Sequence, residues 1–126
     1  MAYVREVMKK SFISAKINDN VQQISRELTK SKISNIPIIN NKGELVGIVS
    51  EQDIIKAMES EKFMKMTAKD IMTTDILSVK EEDCLEYVSK IFTEHTYRRL
   101  PVIRNKKIVG IIERKDIINN FMTHYY

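Results

Sequence analysis

The sequence predicts an α+β protein made of two tandem βαββα repeats, residues 1–62 and 63–126. The first observation is a register. Pro37 and Pro101 lie 64 residues apart, as do Met8/Met72, Asp19/Asp83, Val21/Leu85, Ile24/Val88 and Leu28/Phe92. The second is that beyond the prolines the spacing becomes 63, pairing Val46/Val109, Gly47/Gly110, Asp53/Asp116 and Ile54-Ile55/Ile117-Ile118. The third is the place of the missing residue. It falls in the turn that contains Asn40–Glu44 in one copy and Asn105–Lys107 in the other, and turns tolerate a change of length.

Each element follows in order. Phe12–Ile17 and Ile76–Val79 are short apolar strands. Val21, Ile24 and Leu28 then recur at helical spacing, as do Leu85, Val88 and Phe92, after Asp19 or Asp83, either of which can cap a helix. Strands are expected at Ile36–Ile39 and Leu100–Ile103, and, after the turn, at Leu45–Val49 and Ile108–Ile112. A closing helix starts near residue 51 or 114. The second and third strands are almost wholly apolar, which predicts sheets covered by helices. Residues 59–69 read as a polar, Met-containing connector, and nothing in the 126 residues lies outside the two repeats.

Composition narrows the class. Hydrophobic residues make up 43% and charged residues 30%, ordinary for a water-soluble domain. No apolar run nears the ~20 residues that span a bilayer. Charges interrupt every apolar stretch of the opening Met1–Lys10, so a cytoplasmic location is expected. The single Cys84 precludes an intrachain disulfide and a thiolate metal cluster, and its position at the start of a helix fits a small buried hydrophobe. His95 and His124 lack a second ligand at metal-binding spacing. The net charge is +4, and residues 1–62 and 63–126 each carry +2, so there is no basic arm or acidic tail. No Ser/His/Asp set and no phosphate-binding glycine loop is present, so the chain is not expected to be an enzyme.

Within this frame the chain resembles a CBS domain pair (a Bateman module) of the stand-alone two-repeat type. The carriers are Val7-Met8 and Ile71-Met72, Ile36-Pro37-Ile38-Ile39 and Leu100-Pro101-Val102-Ile103. They continue with Val46-Gly47-Ile48-Val49-Ser50-Glu51-Gln52-Asp53 and Val109-Gly110-Ile111-Ile112-Glu113-Arg114-Lys115-Asp116. The resemblance implies two units related by a pseudo-twofold axis, their sheets packed together with helices outside. It also implies adenine nucleotides or related adenosyl compounds as regulatory ligands in clefts between the repeats, and no obligatory cofactor.

Carried over residue by residue, the resemblance places Ser50, Glu51, Gln52 and Asp53 in a first cleft, with Met72 and Leu77 near the base and Tyr97 and Arg98 reaching over. It places Arg114, Lys115 and Asp116 in a second, with Ile33 and Ser34, and with Met8 and Ile13 near the base. The chemistry is reasonable: a strand-to-helix junction offers N–H groups to phosphate, Ser50 adds a hydroxyl, and Asp53 can accept both hydroxyls of a ribose. Gly47 would let a base lie close to the backbone.

Competing readings stand beside these. Ser50-x-x-Asp53 is also a helix capping box, and against a purely capping role stands the persistence of Asp116 where Glu113 has replaced the serine. Arg98-Arg99 can be an ion-paired turn, and Met8 and Met72 can be core filler. Glu113 would repel a phosphate in the second cleft unless Arg114 and Lys115 compensate, which ranks the Asp53 cleft first. A homodimer or a protein effector in trans is the expected readout. The alternative function is nucleic-acid binding through Arg98, Arg99, Arg104, Lys106, Lys107, Arg114 and Lys115.

Overall fold

The computed structural model describes residues 2–125. Its elements run α1 (Val4–Val7), β1 (Ala15–Lys16), α2 (Val21–Ser31), β2 (Asn35–Ile39), β3 (Leu45–Ser50) and α3 (Glu51–Ala57). After a 3-10 turn at Phe63–Lys65 come α4 (Ala68–Ile71), β4 (Val79–Lys80), α5 (Leu85–Glu94), β5 (Arg99–Arg104), β6 (Lys107–Glu113) and α6 (Arg114–Tyr125). The strands form two three-stranded sheets, β1-β2-β3 and β4-β5-β6. In each, the first pair is parallel and the second antiparallel, with a register shift at Ile38/Ile39 or Val102/Ile103.

Packing divides the chain differently from the sequence repeat. One compact unit is Ile13–Ile76; the other joins the chain up to Phe12 with the chain from Leu77 on. The repeat boundary at residue 62 is therefore not the packing boundary. In the Ile13–Ile76 unit, Ile24, Leu28, Ile36, Ile38, Val49 and Ala68 are among the buried core. In the other, Val4, Val79, Val88, Leu100, Val102 and Ile112 play that part.

The reason for the shifted boundary lies in backbone hydrogen bonds. The expected connector 59–69 is folded onto its own unit. Val21 N donates to Met66 O at 2.9 Å, and Ala68 N to Asp19 O at 2.9 Å, while Asn20 Nδ2 donates to Met64 O at 3.1 Å. Phe63 and Met66 pack on the core, and Ala68 is fully buried. Residues 2–7 do the same for the other sheet. Leu85 N donates to Ala2 O at 3.0 Å and Val4 N to Asp83 O at 2.9 Å, and Val4 is fully buried. Each short helix is closed by the acid of its first turn. Tyr3 N donates to Glu6 at 3.1 Å and Thr67 N to Asp70 at 2.8 Å.

The first strand of each repeat is shorter than expected, two residues rather than Phe12–Ile17 or Ile76–Val79. The residues lost are mainly those at the start of each run, and β4 reaches one residue past the expected end; Asp19 and Asp83 fix where the strands stop. Each accepts a backbone N–H three residues back, from Lys16 at 2.9 Å or Lys80 at 2.8 Å, which turns the chain just after the strand. These carboxylates therefore close turns and do not cap helices. Asn20 caps α2 instead, accepting from Gln22 N at 2.8 Å, and the N-cap of α5 is the half-buried Cys84. The one-residue deletion does fall in a turn. Asn105 and Lys106 both have positive φ, 51° and 69°, as a two-residue hairpin requires. The longer partner turn places positive φ on Gly43 and is held by Asn40 Oδ1, which accepts from Lys42 N and Glu44 N.

Candidate functional site

In the Ile13–Ile76 unit the strand-to-helix junction gathers Gly47, Ser50, Asp53, Met72 and Thr73. β3 delivers Gly47 to the unit's interior, and the segment after α4 runs beside it. Thr73 N donates to Ile48 O at 2.8 Å and Ile48 N to Thr73 O at 2.9 Å. That bridge lays the Met72 side chain on Gly47 so closely that a Cβ there would lie 2.7 Å from Met72 Cγ. Glycine is required here for close approach, at an ordinary φ.

Asp53 and Ser50 form the capping box. Asp53 N donates to Ser50 Oγ at 3.1 Å and Ser50 N to Asp53 Oδ2 at 2.9 Å. Thr73 Oγ1 lies 3.3 Å from both Asp53 oxygens. Capping does not exhaust these groups. Ser50 Oγ accepts and keeps its own proton to donate, and a carboxylate has about four acceptor positions. The helix terminus is less open than its sequence implied. Glu51 N is taken by Ser34 O at 3.0 Å and Asp53 N by Ser50, and α3 has only seven residues. Glu51 and Gln52 are exposed.

The other unit repeats the arrangement with different chemistry. Lys9 and Ile111 exchange backbone bonds at 2.8 and 2.9 Å, and a Cβ on Gly110 would lie 2.7 Å from Met8 Sδ. Glu113 N donates to Asp116 Oδ2 at 2.8 Å. This removes one argument made from sequence: Asp116 persists without a serine partner because its half of the box, accepting the N-cap N–H, never needed one. Lys9, which stands where the first unit has Thr73, places its ammonium on Glu113 and 3.8 Å from Asp116 Oδ1. Hydrogen bonding to Glu113 and the charge of Asp116 hold the Lys9 pKa above its usual value, against desolvation by partial burial and repulsion from Arg99. The sequence reading missed Lys9 and Thr73, although the 64-residue spacing pairs them.

The basic residues are dispersed in role. Arg99 is buried on β5, directly opposite Glu113, and desolvation pushes its pKa down while Glu113 pushes it up. Arg114 is committed to the end of α5. It donates through Nε to Tyr97 O at 2.8 Å and through Nη2 to His95 O at 3.2 Å and Phe92 O at 3.3 Å. A cation there is favoured by the helix dipole. Arg104 pairs with Glu81 at 3.3 Å. Of the seven cations expected to contact nucleic acid, Arg99 is buried and Arg114 is held by backbone carbonyls, while Arg104 pairs with Glu81 at the exposed surface. Arg98 and Lys115 are exposed, and Tyr97 is 42% exposed. Ile13 and Ile33 pack on one core and Leu77 on the other, so the predicted site residues are shared between the two units.

Among the described residues, none of the His, Cys, Asp and Glu groups is placed to hold a metal, and no helix is long and apolar enough to cross a membrane. A cavity of about 600 Å³ beside Leu85, Ile117 and Phe121 contains none of the predicted site residues.

Known proteins resemble the chain in sequence and in fold. The chain is 29% identical over 119 residues to the L-aspartate semialdehyde sulfurtransferase of Methanocaldococcus jannaschii, matching 94% of this chain but only 23% of that protein's length. It also covers 41% of the length of the M. jannaschii protein MJ1225, at 27% identity over 115 residues. Among solved structures, the CBS domain pair of protein MJ0100 in complex with 5′-methylthioadenosine and S-adenosyl-L-methionine superposes with a TM-score of 0.82 at 27% identity, over 98% of both chains. CBSX2 in complex with AMP gives 0.87 at 25% identity, again over 98% of both. The CBS domain family matches twice, over residues 4–60 and 68–123, and the chain therefore belongs to the CBS domain family, with two copies of the domain.

Proposed function

We propose that this chain is a regulatory module that binds adenosine-containing ligands, of the AMP, ADP and ATP class or S-adenosyl compounds, and has no catalytic activity of its own. The observation that carries the reading is the constellation built twice: an aspartate three residues into the helix, a glycine on the preceding strand, and a methionine laid on that glycine. Proteins of the same family and fold that were solved with AMP, or with S-adenosylmethionine and 5′-methylthioadenosine, support it.

In this reading Asp53 accepts the ribose hydroxyls with the oxygen capacity its capping bond leaves over. Gly47 and Met72 offer an apolar, closely approachable surface to the base, and Ser50 donates its free hydroxyl proton to a ligand anion. Asp116, Gly110 and Met8 supply the corresponding groups in the other unit. Roles for Glu51, Gln52, Leu77, Tyr97, Arg98, Ile13, Ile33, Ser34 and Lys115 rest on the family resemblance. Arg114 would have to leave three carbonyls to serve a ligand. A bound ligand alters the module only if it favours one arrangement over another. The readout is then a homodimer or a protein effector in trans, in the cytoplasm.

Titration calorimetry with AMP, ADP, ATP, S-adenosylmethionine and 5′-methylthioadenosine tests this. Saturable binding by at least one ligand, weakened in Asp53→Asn or Asp116→Asn, is expected. Protein freed of co-purified nucleotide that binds none of them would overturn the reading.

A further inference from the structure

The two constellations differ at three positions that the repeat register pairs: the residue before the helix, the one facing it across the sheet, and the one that reaches the acid from the bridging segment. Around Asp53 stand Asn35, Ser50 and Thr73; at the corresponding places around Asp116 stand Arg99, Glu113 and Lys9. Asn35 faces Ser50 across β2-β3, and Arg99 faces Glu113 across β5-β6. The Lys9 ammonium bonds Glu113 and approaches Asp116. Asp53 is thus the one formally charged member of its set, whereas two cations and two carboxylates balance in the other. Glu113 is the member that bonds Lys9 and faces Arg99.

We propose that the Glu113 carboxylate permanently occupies the place of a ligand phosphate, so that the Asp116 constellation accepts adenosine-containing ligands without a phosphate group while the Asp53 constellation accepts phosphorylated ones. This rests on the adenosine-binding reading and adds a division of labour to it. Ser50, the counterpart of Glu113, is the hydroxyl assigned to the ligand anion. In place of that donor the second unit puts an acceptor that is itself an anion. The cations that could have welcomed phosphate, Lys9 and Arg99, already stand beside the carboxylates: Lys9 pairs with Glu113 and lies near Asp116, and Arg99 faces Glu113 across the strands. Turning Glu113 aside to admit phosphate would break its bond to Lys9 and move away the negative charge that faces the buried Arg99, and both changes are unfavourable. Leaving it in place would set like charges against each other at close range. A neutral 5′-thioadenosine meets neither obstacle, and the positive sulfonium of S-adenosylmethionine would be attracted.

The test isolates the second unit by working in Asp53→Asn protein and titrating AMP and 5′-methylthioadenosine side by side, with thermal unfolding to verify each variant's fold. We expect 5′-methylthioadenosine to bind at least about tenfold more tightly than AMP, a difference of about 1.4 kcal/mol. Adding Glu113→Ser should create AMP binding. Because that change takes from Lys9 its closer partner and from Arg99 the charge that faces it, the triple replacement Lys9→Thr, Arg99→Asn, Glu113→Ser installs the other unit's set in full, and it should gain AMP binding too. Equal affinity for the two ligands in Asp53→Asn protein, or a folded triple variant that gains no AMP binding, would overturn the inference and leave the adenosine-binding reading intact. Wild-type protein that binds neither ligand would overturn both.

Discussion

Gly47→Ala has a cost that follows directly from the packing around the glycine. The new Cβ would lie 2.7 Å from Met72 Cγ and 3.0 Å from Met72 Cβ, and nearer still to Sδ. Comfortable carbon contacts are about 3.5–4.0 Å, so each approach is short by about half an ångström or more. Rotating Met72 relieves the Cγ and Sδ contacts but not the one to Cβ, which is fixed to the backbone. The Thr73–Ile48 bridge, with bonds of 2.8 and 2.9 Å, must then give. Overpacking costs about 1–3 kcal/mol, and weakening the bridge adds up to about 1 kcal/mol per bond, so we expect a loss of about 2–3 kcal/mol. Met72→Ala alone should cost about 1–2 kcal/mol, since the side chain is half-buried rather than enclosed. Urea unfolding followed by circular dichroism would give all four corners of a double-mutant cycle. In the double variant the Cγ and Sδ clashes are absent, so its cost should fall below the sum of the singles by about 1 kcal/mol or more. Additivity to within about 0.5 kcal/mol would refute the claim that Met72 is what Gly47 makes room for.

Other consequences follow from single contacts. Ser50→Ala removes the acceptor for Asp53 N and should lower the urea midpoint by the equivalent of about 1 kcal/mol; an unchanged midpoint would mean the cap is idle. Arg114→Met should cost about 1–2 kcal/mol in thermal unfolding, by freeing the carbonyls at the end of α5, and Arg114→Lys should not restore it because a point charge cannot reproduce the fork. Full rescue by lysine would contradict that assignment. Lys9 gives a pH dependence whose sign is fixed. Its folded pKa lies above the ordinary 10.5, so its stabilising effect is complete below pH 10.5 and is lost as pH rises through the folded value. Wild type should therefore lose stability relative to Lys9→Met only on the alkaline side of 10.5, and a difference that is constant with pH would disprove it.

Much of this architecture was legible because two copies of one pattern check each other. The registers of 64 and 63 located the four longer helices and the four longer strands, and placed the deletion in the hairpin that Asn105 and Lys106 close. What the pattern did not reveal were choices among hydrogen-bond partners. Asp19 and Asp83 are good helix caps by composition, yet each lies within reach of an N–H three residues back and closes a turn there. Nor could periodicity show that residues 2–7 and 63–71 complete the two cores, because helices of four residues carry almost no repeat signal. At the site, acid, glycine and methionine were visible. The Lys9–Glu113 pair was not, since its partners stand 104 residues apart and ion pairing has no spacing rule across a fold.

If Asp53 reads the ribose of an adenosine-containing ligand, the ligand's own hydroxyls reveal it most directly. Calorimetric affinities of AMP and its 2′,3′-dideoxy analogue would be compared on wild-type protein and on Asp53→Asn. Hydrogen bonds to a charged group are worth about 1.5–3 kcal/mol, so removing the diol should weaken wild-type binding at least about tenfold. It should weaken binding to Asp53→Asn far less. An equal loss on both proteins, or none on either, would show that Asp53 serves only the helix it caps.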